Sequence, residues 1–127
     1  MPVDTEKFAK HLRAATGESQ ISKGTCGIAM REGLQAAGAK GPFPGTGKEY
    51  GPTLLRLGFH EITVDNPDTF NFLRGDVMVM QPHKGGKQAG HVAGYDGSRW
   101  VSDFVQHDFW AGPKYRTERS KYVVYRY

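Results

Sequence analysis

The sequence predicts an α+β fold, with helices first and antiparallel strands after them. Three observations carry that expectation. Apolar residues recur at helical spacing early in the chain. Later segments are short apolar runs separated by turn residues, including an Asp-Gly pair between two strand-like stretches. Helices and strands do not alternate, so a parallel βαβ arrangement is not expected.

Residues 4–16 read as the first helix. Asp4 suits its N-cap, Phe8, Leu12 and Ala15 share a face, and Gly17 stops it. Residues 18–25 are rich in turn formers. The second helix should occupy residues 26–37, with Ala29, Met30, Leu34 and Ala37 on one face and Gly38 beyond its end. Gly27 and Gly33 cost such a helix about 1 kcal/mol each relative to Ala, which suggests close packing on a neighbouring strand. Residues 39–52 hold three prolines and four glycines and predict an irregular connection. A short helical turn is expected over 53–57, a strand over 59–64 and a turn over 65–68. Val77-Met78-Val79-Met80 reads as a buried strand, followed by a polar, glycine-rich loop over 81–90. Residues 91–95 and 99–105 predict a hairpin about Asp96-Gly97, 106–113 a loop, and 122–125 a closing strand.

The length, 127 residues, predicts a single domain over 1–127. Apolar residues at 38% and charged ones at 24% predict a folded chain, not a disordered one. No apolar run approaches the roughly 18 residues of a membrane span, so no transmembrane segment is expected. The N-terminus lacks a basic stretch followed by an apolar one, so no Sec-type signal peptide is expected. A net charge of +4 suits a polyanionic partner such as nucleic acid, cell wall or an anionic membrane face, and equally suits solubility alone.

Cys26 is the only cysteine, which excludes an internal disulfide and a multi-cysteine zinc site. Its place at the start of the second helix favours a reactive thiolate, because free N–H groups and the helix dipole stabilise negative charge there. The same N–H groups can hold an oxyanion. The alternative is a small buried residue facing the core. A thiolate needs a base, and of five histidines His91 is the best placed, at a strand start directly after Gly90. Gly90 would leave room there for a substrate. The hairpin offers an orienting acceptor: Asp103 in one register, Ser102 in the register one residue shorter. Asp103 is preferred, because its bond to an imidazolium is charge-assisted. Asp76 reads instead as a turn device. A hard-ligand cluster of His91, Asp103, His107 and Asp108 is the weaker alternative, because no zinc-type spacing accompanies it. Phe104, Phe109, Trp110 and Tyr115 read either as core edge or as groove wall.

Thr25-Cys26-Gly27-Ile28-Ala29 opening a helix, Gly75-Asp76-Val77-Met78-Val79 before a strand, Gly90-His91-Val92-Ala93-Gly94-Tyr95-Asp96-Gly97, and Trp100-Val101-Ser102-Asp103 occur in that order. Together they resemble the papain-like cell-wall peptidases and amidases of the NlpC and CHAP superfamily, over residues 22–105. The resemblance implies a papain-like domain in which the cysteine-bearing helix packs on an antiparallel sheet of about five strands. It also implies a Cys26–His91–Asp103 triad, no cofactor, no nucleic acid, and the peptide stem of bacterial peptidoglycan as substrate. The segment around Cys26 departs from the usual cysteine motifs, and the third position is Asp where many members carry His, Asn or Glu. The small form looks similar to amidase toxins delivered by type VI secretion, which implies export by a specialised route, action on a target cell wall and an immunity partner. A minimal phage lysin released by lysis, a papain-like toxin acting on proteins, and a non-catalytic binding or phage structural module are the competing expectations.

Overall fold

The structure is a computed structural model that describes the whole chain apart from Met1, Glu18, Ile21, Ser22 and Lys23. Part of the loop expected over 18–25 therefore lies outside the described residues. Helix α1, Thr5–Thr16, begins as expected: the Asp4 carboxylate accepts the N–H of Lys7 at 3.1 Å, and Gly17 ends the helix at φ 60°. Its buried face is Phe8, Ala9, Leu12 and Thr16, while Ala15 stays exposed. Helix α2, Cys26–Ala36, buries Met30, Gly33 and Leu34. Gly33 packs on α1, not on a strand: a Cβ there would lie 3.1 Å from Leu12 and 3.2 Å from Phe8.

The irregular connection contains a 3-10 turn, Gly47–Glu49, that runs directly into α3, Tyr50–Arg56. That helix starts earlier than the sequence suggested. Pro52, which has no N–H, is tolerated in its first turn, where backbone N–H groups have no acceptor within the helix. The strands are β1 (His60–Ile62), β2 (Val77–Met80), β3 (His91–Tyr95), β4 (Trp100–Val101) and β5 (Tyr122–Arg126). They form one antiparallel sheet in the order β1-β5-β2-β3-β4. A fourth helix, α4 (Pro113–Glu118), was not anticipated; Pro113 at its first turn is the signal that marks it.

Both faces of the sheet are covered. Val77, Val79, Val92, Val101 and Tyr125 pack toward Phe8, Leu12, Met30, Leu34 and Leu54 of the helices. Met78, Met80, Ala93, Trp100 and Val124 pack with Phe109 and Trp110 on the other side. This is why β2 reads as an unbroken apolar run instead of an alternating one. Asp76, 1% exposed, accepts from Nε and Nη2 of Arg126 at 2.8 Å each and from the N–H of Leu73 at 2.8 Å. It pins the start of β2 to β5, so its role is structural, as the sequence suggested.

The hairpin differs from expectation in its register. The Asp96 carboxylate accepts the N–H groups of Ser98 at 2.7 Å and Arg99 at 2.6 Å, so Gly97 and Ser98 occupy the centre of the turn. Tyr95 then faces Trp100 and Gly94 faces Val101. Continued, that register would set His91 opposite Phe104, not Ser102 or Asp103. The ladder ends sooner: β4 stops at Val101, the N–H of Ser102 donates to the carbonyl of Phe104 at 3.0 Å, and Val105 pairs back onto Val101.

The 3-10 turn sits against the back of β3. A Cβ on Gly47 would lie 2.8 Å from the carbonyl carbon of His91 and 2.9 Å from the nitrogen of Val92. Gly47→Ala should therefore destabilise the fold by about 1–3 kcal/mol in urea unfolding, because backbone must move to admit the methyl group. Gly45→Ala, whose Cβ meets nothing within 4 Å, should change stability by no more than about 0.5 kcal/mol.

Candidate functional site

A cavity of about 230 Å³ opens at the end of the sheet where β3 begins. Cys26, His91 and Asp103 all line it, together with Gly24, His83, Lys87, Ala89, Gly90, Phe104, Ala111 and Tyr115. The two halves of the chain thus bring the thiol and the imidazole to one cleft. Cys26 is half-buried at the first turn of α2, where the backbone N–H groups of Val92, Gly27 and Cys26 itself favour negative charge on its sulfur. The Val92 N–H acts on the sulfur from β3. Tyr50 donates to the carbonyl of Gly27 at 2.8 Å and supports this turn from α3; burial holds the Tyr50 hydroxyl up to about 12.

His91 is 6% exposed, and the partner of its Nε2 is Gln106, with Oε1 at 2.7 Å. Gln106 is 1% exposed. Its amide nitrogen donates to the carbonyls of Asp108 at 3.1 Å and Phe109 at 3.2 Å. Those two acceptors turn the amide oxygen toward the ring, so Nε2 carries the ring proton and Nδ1 is the basic nitrogen. The expectation that Asp103, or Ser102 in its place, would orient the ring is therefore corrected: Gln106 occupies that position. No strand register could have placed it there, because it reaches His91 only after the reversal at 102–104.

Asp103, 4% exposed, accepts the N–H of Thr25 at 3.1 Å and the hydroxyl of Ser102 at 3.1 Å. A carboxylate at this point complements the positive end of α2 and ties it to the exit of β4. Its charge also acts on both neighbours, raising the Cys26 thiol and supporting protonation of His91.

Burial pushes the Cys26 thiol up from its ordinary value, Asp103 adds to the rise, and the N–H of Val92, with those of Gly27 and Cys26, opposes it. The thiolate expected from the helix start alone is thus outweighed by desolvation. Burial likewise pushes the His91 imidazole down, against the opposing effects of the Gln106 bond and Asp103. Both effects disfavour charge on the two groups that line the cavity. Gly90 takes φ 64°, and a Cβ there would lie 2.5 Å from the carbonyl oxygen of Met80; the backbone needs glycine at this point, whatever room it gives a substrate.

Other candidates separate. Asp108 is paired with Arg116 at 2.9 and 3.0 Å, and His107 is exposed. Among the described residues, no three His, Cys, Asp or Glu side chains are grouped to hold a metal ion. Of the aromatic group, Phe104 and Tyr115 line the cavity, while Phe109 and Trp110 are core. His83 and Lys87 also reach the cavity; their loop gave no sequence signal beyond its polarity. Among the described residues, no helix is long and apolar enough to cross a membrane.

No family model and no curated protein matches the chain. Two crystal structures do. The type VI native effector–immunity complex Tae3–Tai3 from Ralstonia pickettii aligns with TM-score 0.82 and 37% identity, over 98% of this chain and 98% of the matched one. The selenomethionine form of that complex aligns with TM-score 0.80 and 36% identity, over 94% of this chain and 99% of the matched one. Fold and comparison together define the class as a type VI secretion effector. The chain belongs to the Tae3 family.

The lowered His91 value has a consequence for stability. Between the ordinary imidazole value of about 6.5 and the depressed folded one, the unfolded chain binds a proton that the folded chain does not. Stability should therefore fall as pH drops below about 6.5, and be retained above it. Thermal melts from pH 7.5 to 5 should reveal that decline, and His91→Gln should flatten it. Gln106→Leu, which strands the His91 ring N–H and two carbonyls, should cost about 1–3 kcal/mol in urea unfolding at pH 7.5.

Proposed function

We propose that this protein is an antibacterial cysteine amidase that hydrolyses amide bonds in the peptide stem of peptidoglycan. The observation that carries the reading is the doubly anchored Gln106 amide, which leaves Nδ1 of His91 as a base in the cavity that Cys26 lines. Membership in a type VI effector family supports a toxin delivered to a target cell wall, and an immunity protein as its partner. A cysteine-bearing helix packed on an antiparallel sheet with the histidine at a strand start also fits the papain-like NlpC and CHAP pattern.

In this mechanism Nδ1 of His91 takes the Cys26 proton as the sulfur attacks the amide carbonyl, so a neutral pair needs no resident thiolate. The N–H groups at the start of α2 stabilise the developing oxyanion. The proton passes to the leaving amine as the C–N bond breaks. Water then attacks the thioester, giving its proton to His91, and the free acid and thiol are restored. Gln106 holds the ring, and Asp103 stabilises the imidazolium at short range and fixes the helix that bears Cys26.

Digestion of purified stem-peptide fragments tests the reading by mass spectrometry. The wild type should release new amine and carboxyl termini, and Cys26→Ala should release none. Gln106→Ala should lower kcat on the order of a hundredfold with KM little changed. Stems left intact by the wild type would sink the substrate assignment; full activity in Cys26→Ala would sink the nucleophile.

A further inference from the structure

A second cavity, of about 660 Å³, opens between α3 and strands β2 and β5. Its floor is Val79 and Val123, and Val123 remains 36% exposed. Lys48 of the 3-10 turn stands on one side; Ser120 and Lys121, on the approach to β5, stand on the other. Backbone bonds hold both sides in place. The N–H of Lys48 donates to the carbonyl of Ala89 at 2.9 Å, and that of Gln81, just past β2, donates to the carbonyl of Lys121 at 2.8 Å. Lys48 also packs against Gly90, where a Cβ would lie 2.8 Å from its own Cβ. Gly90 lines the catalytic cleft, so the two cavities are neighbours.

Ser120 is 7% exposed, and its hydroxyl is the one buried side-chain polar atom among the described residues without a hydrogen-bond partner. Folded chains avoid leaving such a group unpaired, because its lost hydration is not replaced. Charge in the cavity is equally one-sided. Among the described residues lining it there is no carboxylate. Arg119, which also lines it, is engaged by Asp68 at 2.9 Å, whereas Lys48 and Lys121 enter none of the ion pairs among the described residues. The acid next to Lys48 in sequence, Glu49, accepts the hydroxyl of Thr46.

We infer that this cavity binds a phosphate monoester carried on a sugar-sized organic body. Two ammonium groups match a charge of about −1.5 to −2, which a phosphate monoester carries near neutral pH and a single carboxylate does not. Lysine meets phosphate as a point charge, and the Ser120 hydroxyl and the Gln81 carboxamide supply donors for its oxygens. The volume falls in the range of about 300–1,000 Å³ usual for small-molecule sites, far more than a bare phosphate needs. The valine floor gives the attached body an apolar surface to cover. This site lies outside the catalytic machinery, and its occupancy requires no cleavage.

Titration calorimetry with N-acetylglucosamine 6-phosphate, N-acetylglucosamine and inorganic phosphate tests the inference. The wild type should bind the sugar phosphate with a Kd of about 1 mM or tighter, and the neutral sugar at least about tenfold more weakly. Inorganic phosphate, which cannot cover the valine floor, should bind about threefold or more weakly than the sugar phosphate. Lys121→Met, at an exposed side chain, should weaken the sugar phosphate by about fivefold or more, and Lys121→Arg should restore most of the loss. Ser120→Ala should weaken it by about threefold while leaving the thermal midpoint unchanged or raised, because it removes an unpaired hydroxyl; a purely structural serine would lower the midpoint instead. Cys26→Ala should bind as the wild type does, so the result stands apart from any outcome with stem peptides. No binding of the sugar phosphate, equal affinity for the neutral sugar or for inorganic phosphate, or unchanged affinity in either Lys121→Met or Ser120→Ala would overturn the site.

Discussion

The chain reverses at residues 102–104, and both halves of the cleft hang from that reversal. From its apex Asp103 accepts the N–H of Thr25, at the entrance to the helix that carries Cys26. Two residues past it, Gln106 grips the ring of His91. The reversal is itself held by Val105, which pairs with Val101 and donates its N–H to the carbonyl of Ser19 at 2.7 Å. A helix start and a strand start far apart in sequence are therefore aligned by one short turn. The arrangement suits catalysis, which depends on reacting groups held close and correctly aimed.

Packing supplies the stiffness behind that turn. Helices α1 and α2 meet at Gly33, with Phe8 and Leu12 pressed against it and also over Gly94 of β3, where a Cβ would lie 2.6 Å from Leu12. Close approach at these points lets the helical layer settle directly on the strand that begins with His91. The aromatic layer on the opposite face, with Phe72 stacked on Phe109 and Trp110 edge-on to Phe109, closes the sheet from behind. It also fixes the carbonyls of Asp108 and Phe109 that orient Gln106. The polar network of the cleft is thus a by-product of an apolar one. It is satisfied donor by donor, as a buried network must be to avoid a large desolvation cost.

Electrostatically the cleft favours uncharged resting groups. Desolvation outweighs the helix dipole at Cys26 and outweighs the polar partners at His91. The nearby carboxylate of Asp103 opposes a thiolate at Cys26 and favours protonation of His91.

Local rules made much of the molecule legible. Asp4 and Gly17 bracket α1, Cys26 and Gly38 bracket α2, the apolar run at 77–80 is a strand buried on both faces, and β3 spans the residues its pattern marks. Cys26 and His91 stood out because a thiol at a helix start and an imidazole at a strand start are each positioned by backbone geometry that sequence signals report. Three features escaped. The hairpin turn is centred on Gly97-Ser98 because the Asp96 side chain bonds forward, a choice the Asp-Gly signal does not make. Helix α4 is short, and among its residues only the opening proline advertises it. Gln106, the partner of His91, was invisible because it lies beyond the end of the ladder, where no periodicity operates. Sequence by itself determined most of the elements, α4 excepted, since capping, glycine stops and apolar spacing act over a few residues. Tertiary structure alone decided which polar atom meets the imidazole and how charged the thiol is, since both depend on groups brought together by a chain reversal and on the water that packing excludes.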